Sequence, residues 1–226
     1  MSIIIHKPLP RTMQGLLKRL GGIAPSRVRL RPLPGFATEA DLVRTYESEK
    51  VLCELIDGIL VEKTAGAEES FLTMHLVILL GNFMELHDLG ALMGPDGAIR
   101  LMPGLIRIPH ISFVTWEKRP QRVYPRDPIA NLIPDLAIEV LSKGNTRREM
   151  ALKLRDYIRC RYQARPVREP QDANGQCLHS PRQIDQTDGR SNPRRGRCPA
   201  WFYPASPKVI RTVGRVRVYP SRKPAS

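Results

Sequence analysis

Ten residues, Ile133-Pro134-Asp135-Leu136-Ala137-Ile138-Glu139-Val140-Leu141-Ser142, with the helical pattern that follows them to Ile158, constrain this chain more than any other stretch. The run is aliphatic and β-branched, opens beside a proline and closes at Ser142 and Gly144, which predicts a buried strand. Side chains alternate along a strand, so Asp135, Ala137 and Glu139 share one face while Leu136, Ile138 and Val140 share the other. A carboxylate in such a place is costly unless a metal ion, a cation or a hydrogen-bond network compensates it. Glu139 is therefore the first functional candidate.

The helix after this strand has a defined start. Thr146 can cap it, and Glu149 three residues on completes a capping box. Met150, Leu154, Tyr157 and Ile158 recur at helical spacing and predict its buried stripe. Lys153 borders that stripe, where a lysine is ordinarily a snorkelling surface residue.

Earlier segments read as follows. Residues 12–20 predict a short helix closed by Gly21-Gly22, followed by a proline-punctuated connector from Pro25 to Gly35; both look like an arm. Glu39 to Ser48 predicts a helix that starts at Thr38, with a role in packing. Val51 to Lys63 predicts a hairpin around Asp57-Gly58, with Glu54 on its first strand; its plain reading is an exposed strand residue. Ser70 to Leu89 is the strongest helix and, from its density of Leu, Ile, Val, Met and Phe, should be largely buried. His75 and His87 on it lack partners at metal-ligand spacing and read as packing or surface residues. Ala98–Met102 and Leu105–Trp116 predict two more strands, the second interrupted at Pro109-His110, where a proline implies an edge or a break in pairing.

Composition narrows the classes. The net charge of +14 over 226 residues resembles a nucleic-acid binder's. Yet residues 159–226 hold 15 Lys and Arg against 4 Asp and Glu, a net of +11, which leaves only +3 for the first 158. The basicity belongs to the tail. Cys53, Cys160, Cys177 and Cys198 are too scattered for a zinc site or a disulfide framework. No continuous apolar run of about 20 residues predicts a membrane span, and the absence of a signal-like start predicts a cytoplasmic protein.

Four segments then carry a resemblance. They are Cys53-Glu54-Leu55-Ile56-Asp57-Gly58-Ile59-Leu60-Val61-Glu62-Lys63, Arg107-Ile108-Pro109-His110-Ile111-Ser112-Phe113-Val114, Pro134 to Ser142, and Lys153-Leu154-Arg155-Asp156-Tyr157. In this order, over roughly residues 10–158, they resemble the Uma-two family of predicted restriction endonucleases, in the restriction-endonuclease-like PD-(D/E)xK superfamily. The resemblance implies an α/β fold, an α+β mixed sheet flanked by helices, with a metal-dependent phosphodiesterase site. It implies DNA as partner and a homodimer. In that chemistry an aspartate and a glutamate hold Mg²⁺, and a lysine positions or activates the attacking water. The physical basis is general: Mg²⁺ takes oxygen ligands, and a metal with a cation neutralises charge that develops on a phosphodiester.

Carried over residue by residue, Glu139 matches the family glutamate, Lys153 the lysine on the following helix, and Glu54 an acidic position near the site. The sequence departs from the family at His110, which stands where the pattern has an aspartate. Histidine is a poor Mg²⁺ ligand and a better one for Mn²⁺. The expected metal ligands are thus Glu139 and His110, and the expected activity is an impaired endonuclease.

The second departure is the C-terminus, where the composition reads as disordered. Codons that are compatible with Cys160–Pro207, read one base later, permit strings such as AGTRLV, YVNPKTRT and TLDGGDVLPGFTLPL, which look like the family's missing strands. This predicts a one-base frameshift near residues 158–160. The expected organisation is an arm and linker at 1–48, a core at 49–158 lacking its C-terminal strands, and a tail at 159–226. The competing readings are a non-catalytic nucleic-acid-binding protein that uses the basic tail, where Trp201 and Phe202 follow arginines, and a non-functional pseudogene product.

Overall fold

The computed structural model describes residues 8–64, 66–163 and 216–220. Among these, α1 (Met13–Arg19) and α2 (Glu39–Glu49) precede a hairpin of β1 (Cys53–Ile56) and β2 (Ile59–Glu62). The long α3 (Ala67–His87) leads to β3 (Gly90–Met93), β4 (Ala98–Met102), β5 (Leu105–Arg107) and β6 (Ile111–Thr115). After a loop come β7 (Ile129–Ala130), β8 (Leu136–Val140), α4 (Arg147–Gln163) and β9 (Val216–Pro220). One sheet runs β2-β1-β5-β4-β7 and the other β3-β6-β8-β9. All pairings are antiparallel except β4 with β7. This is the mixed α/β architecture expected from the sequence.

The hairpin turns at Asp57 (φ 49°) and Gly58 (φ 77°), the left-handed pair that an Asp-Gly turn supplies. Its tip is pinned: the Gly58 carbonyl accepts from the amides of Gly35 (2.7 Å) and Ala37 (3.0 Å). The capping box at Thr38 and Asp41 starts α2 as expected, and Leu42 joins Leu55, Leu60 and Ile106 in one core cluster.

Several expectations are corrected. The N-terminal segment is not an arm, because Leu16, Leu20, Ile23 and Val28 pack with Ile59 and Val61 in a core cluster of their own. It is also tied to α4 by a 2.6 Å hydrogen bond from Thr146 Oγ1 to the Gly21 carbonyl and by a 2.8 Å ion pair between Arg27 and Glu149. The α3 helix is not largely buried: only Thr73 and Met84 are, while Phe71 and Leu86 are each 79 % exposed. Composition reports apolarity, but the described elements cover α3 on one side only. The stripe of α4 is rotated from the one expected, with Met150, Lys153, Tyr157 and Cys160 buried and Leu154 and Ile158 exposed. Charges with partners have displaced aliphatics from the inner face.

The tail falls mostly on residues outside the described ones, and so do Trp201 and Phe202. The exception is β9, whose Val216-Arg217-Val218-Tyr219 alternation suits a strand. It pairs along the whole of β8, from Leu136↔Pro220 to Val140↔Val216, so the edge of β8 is covered by a strand from the C-terminal region.

Candidate functional site

The site forms where the two sheets face α4. Register places its first pair: β6 and β8 align Ile111 with Ile138 and Ser112 with Ala137, and one step further along the same register sets His110 opposite Glu139. A backbone bond from the His110 amide to the Ile138 carbonyl (3.0 Å) fixes that step. Pro109 ends the pairing before it, as a proline beside a strand should. In the other sheet, the face of β1 and β5 opposite the Leu55–Ile106 core carries Glu54 and Arg107. On α4, Lys153, Asp156 and Tyr157 lie one turn apart on the inner surface.

These side chains form one closed network. Lys153 Nζ lies 3.0 Å from Glu139 Oε1 and 3.0 Å from Glu54 Oε1. Arg107 Nη1 donates to Glu54 Oε2 at 2.7 Å, and its Nε donates to Asp156 Oδ2 at 3.1 Å. The Ile108 amide adds a bond to Glu54 Oε1 at 3.2 Å. Tyr157 donates its hydroxyl to Glu139 Oε1 at 3.0 Å, and His110 Nδ1 stands 3.0 Å from Glu139 Oε2. Glu54, Arg107, Glu139 and Lys153 are all buried.

The imidazole poses a choice. His110 Nδ1 can carry a proton towards Glu139, or accept one from the Val140 amide at 3.3 Å, but not both. The contact to Glu139 is shorter and charge-assisted, so we assign the proton to Nδ1.

Electrostatics follow from this packing. Burial alone would raise the Glu54 carboxyl, but Lys153 and Arg107 more than offset it and hold it well below the usual carboxylate range. Glu139 is likewise lowered, by Lys153 and by its bond to His110, against burial and the nearby charge of Glu54. Burial would lower Lys153, yet Glu139 and Glu54 push it up to about 12. Arg107 is raised by Glu54 and Asp156, against its own burial. Burial, with Glu139 and Glu54 beside it, pushes the Tyr157 phenol well above its ordinary value. The half-buried Lys63, at the end of β2, goes the other way: burial brings its amine down to about 8, opposed by Glu139 and Glu54. Its Nζ donates to the Pro95 carbonyl at 2.6 Å.

The sequence-derived site is thus brought together whole. Glu54, His110, Glu139 and Lys153 are linked by direct contacts, and the plain readings of Glu54 as an exposed strand residue and Lys153 as a surface lysine are both overturned. Sequence reasoning missed Arg107, Asp156 and Tyr157 as partners. A signal existed: a glutamate inside the apolar Cys53–Ile56 strand requires a cation, and the 153/156/157 spacing puts three polar groups on one turn of α4. Two cavities of about 300 Å³ lie elsewhere, one lined by Met93, Asp96, Arg119 and Tyr124, the other by Glu39, Arg100 and Asp127.

The donor set does not fit Mg²⁺. Glu139 Oε1 already accepts from Lys153 and Tyr157, which leaves Oε2 and an imidazole nitrogen as the adjacent donors, whereas Mg²⁺ needs octahedral oxygen ligation. Among the described residues no group of three or more His, Cys, Asp or Glu is placed to hold a metal ion. Charge says the same. Three carboxylates, Glu54, Glu139 and Asp156, contact two cations, Arg107 and Lys153, and Lys63 lies within electrostatic reach of Glu139 and Glu54, so the site is close to balance before His110 is counted. An aspartate at position 110 would add a negative charge beside Glu139, the demand a divalent cation meets; a histidine does not add it.

No curated protein matches the chain. The model of the Uma2 family, described as "Putative restriction endonuclease", matches residues 40–192, a span that begins inside α2 and runs past the end of α4. That span is more than half of the chain and holds Glu54, His110, Glu139 and Lys153, and the mixed sheet flanked by helices is consistent with a restriction-endonuclease-like fold. The chain belongs to the Uma2 family.

Proposed function

We propose that this chain is a DNA phosphodiesterase of the endonuclease type whose site is impaired by His110. One observation carries the reading: the residue opposite Glu139 is an imidazole in direct contact with it, while Lys153 is held between both carboxylates. A lysine so committed is not available to a water or a phosphate until one of its partners takes another cation. Mg²⁺ is the ion the family chemistry calls for, and Mn²⁺ the one His110 tolerates better. Supercoiled plasmid incubated with the purified protein and either ion tests this. The expectation is no cleavage with Mg²⁺ and weak cleavage with Mn²⁺ that Glu139→Ala abolishes; efficient cleavage with Mg²⁺ would sink the impairment.

The basic C-terminal region, net +11, supports a second reading, a non-catalytic nucleic-acid binder. It requires steep salt dependence of DNA binding that disappears when residues 159–226 are deleted. A pseudogene product is a separate, third reading: a one-base frameshift near residues 158–160 would make that charge accidental, and the match of the family model in this frame as far as residue 192 counts against it. Codons in the gene that are incompatible with the offset reading refute it. A cytoplasmic homodimer completes the reading, in keeping with the family's action on DNA.

A further inference from the structure

The cavity of about 300 Å³ beneath the loop that follows β6 is walled by polar groups that the protein leaves unspent. Register puts it next to the Glu139 network: Ser112 lies opposite Ala137 of β8 and Met93 of β3, two residues from His110 on the same face of β6 and so roughly 7 Å along the strand. Ser112 is 3 % exposed, lines the cavity, and has no hydrogen-bond partner for its hydroxyl among the described residues. The Arg119 guanidinium lines it too. One of its terminal nitrogens donates to the Val123 carbonyl, while Nε is buried without a partner and no ion pair is made among the described residues. Asp96 and Asp127, both exposed, lie within electrostatic reach of Lys63 and Arg100 respectively but form an ion pair with neither. Tyr124, 64 % exposed, adds an open aromatic ring to the same wall.

The chemistry of that wall selects its occupant. A cavity at the low end of small-molecule sites takes one ring system rather than a segment of duplex. Ionised carboxylates only accept hydrogen bonds and a guanidinium only donates them, so the ligand must present donors on one edge and acceptors on another. Its faces must suit Met93, Val114 and the Tyr124 ring. Guanine meets all three demands. Its N1–H and N2–H are adjacent donors for a carboxylate, and its O6 and N7 are adjacent acceptors that an arginine contacts in bidentate fashion. Adenine and cytosine set one amino group beside a ring acceptor, whose lone pair would face the carboxylate, and thymine flanks its one donor with carbonyls. Arg126, exposed in the same loop, offers a cation to the backbone of the strand that carries the base.

We propose that this cavity receives an unstacked guanine of the DNA strand held at the Glu139 site, with Arg119 on its O6 and N7 edge and the carboxylates of Asp96 and Asp127 on its N1 and N2 edge. The inference rests on the DNA reading above and names the base contact that gives the site a preference. A phosphate beside Glu139 and a base beside Ser112 belong to one nucleotide. A base that is already unpaired enters without the cost of leaving a duplex, so the preference is strongest on single-stranded DNA.

Fluorescence anisotropy of the full chain with short oligothymidylates that carry one central guanine, adenine or cytosine, or thymine throughout, tests the proposal in the presence of EDTA. The basic C-terminal region meets the same phosphates in every oligonucleotide, so differences between them report the base. Guanine should bind roughly tenfold tighter than the other three. Inosine, which lacks the N2 amine, and 7-deazaguanine, which lacks the N7 acceptor, should each lose part of that preference; these analogues test the wild type itself, so no variant need fold. Arg119→Gln should abolish the difference between guanine and 7-deazaguanine while guanine still outbinds inosine, and Asp96→Asn with Asp127→Asn should do the reverse. Equal affinity for all four bases, or a guanine preference that these variants leave unchanged, would overturn the guanine pocket while leaving the DNA reading intact. No binding to any oligonucleotide at low salt would overturn both. Free deoxyguanosine monophosphate bound as tightly as the guanine oligonucleotide would make the occupant a nucleotide in solution and overturn the link to the DNA strand.

Discussion

The ammonium of Lys153 lies 3.0 Å from an oxygen of Glu54 and 3.0 Å from an oxygen of Glu139, so a single helix residue ties β1 of one sheet to β8 of the other. The three charges are buried, and removing the central one leaves Glu54 with Arg107 alone as its ion-pair partner and Glu139 with only the hydrogen bonds of Tyr157 and His110. Lys153→Met should cost about 3–5 kcal/mol of unfolding free energy. Adding Glu54→Gln and Glu139→Gln to that variant should recover part of the loss. Urea denaturation of the three proteins checks this; a Lys153→Met variant as stable as the wild type would show that the network is not formed.

The same contacts set a pH window. Glu54 and Glu139 have folded pKa values below those of a free glutamate, about 4.3. Their contribution is therefore present above pH ~4.3 and lost as pH falls through the lowered values. Lys153 is raised to about 12, so its contribution is complete below the unfolded value of about 10.4 and lost as pH climbs towards 12. Denaturation midpoints measured against pH should show a plateau between these limbs. Glu54→Gln should flatten the acid limb.

Lys63 is predicted to be the unusually reactive amine of the described residues. With its value brought down to about 8, a large share of it is neutral at mildly alkaline pH, where ordinary lysines stay charged. Reductive methylation at pH 8, followed residue by residue by mass spectrometry, should modify Lys63 several-fold faster than exposed lysines such as Lys50. Equal rates would mean that the end of β2 is open to water.

Two glycines separate backbone strain from collision. Gly22 (φ +74°) and Gly58 (φ +77°) are both left-handed, but a Cβ on Gly22 meets open space, while one on Gly58 would lie 2.5 Å from the Gly35 carbonyl oxygen. Gly22→Ala should cost about 1 kcal/mol, the strain alone. Gly58→Ala should cost about 2–3 kcal/mol, because the connector that pins the hairpin must also move. Thermal unfolding distinguishes the two.

Much of the site was legible because its chemistry is concentrated in short segments. The 133–142 strand, the Asp-Gly hairpin and the Thr146 cap each have local causes, and the structure keeps all three, trimming the strand to Leu136–Val140. What escaped was the long-range part. Arg107 looked like an ordinary strand residue until the fold set it between Glu54 and Asp156, and aliphatic spacing pointed to Leu154 and Ile158 as the buried face of α4, where ion pairs instead select Lys153 and Asp156. Likewise, Leu16 to Val28 looked like an arm because the proline-rich connector hides the apolar contacts it makes with β2.

The central claim is that His110 removes the charge that would otherwise call for a metal ion, and calorimetric titration of Mg²⁺ into the wild type and the His110→Asp variant tests it most directly. The account predicts no binding to the wild type and one Mg²⁺ per chain in His110→Asp, lost again when Glu139→Ala is added. Equal Mg²⁺ affinity in the wild type and in folded His110→Asp would contradict it.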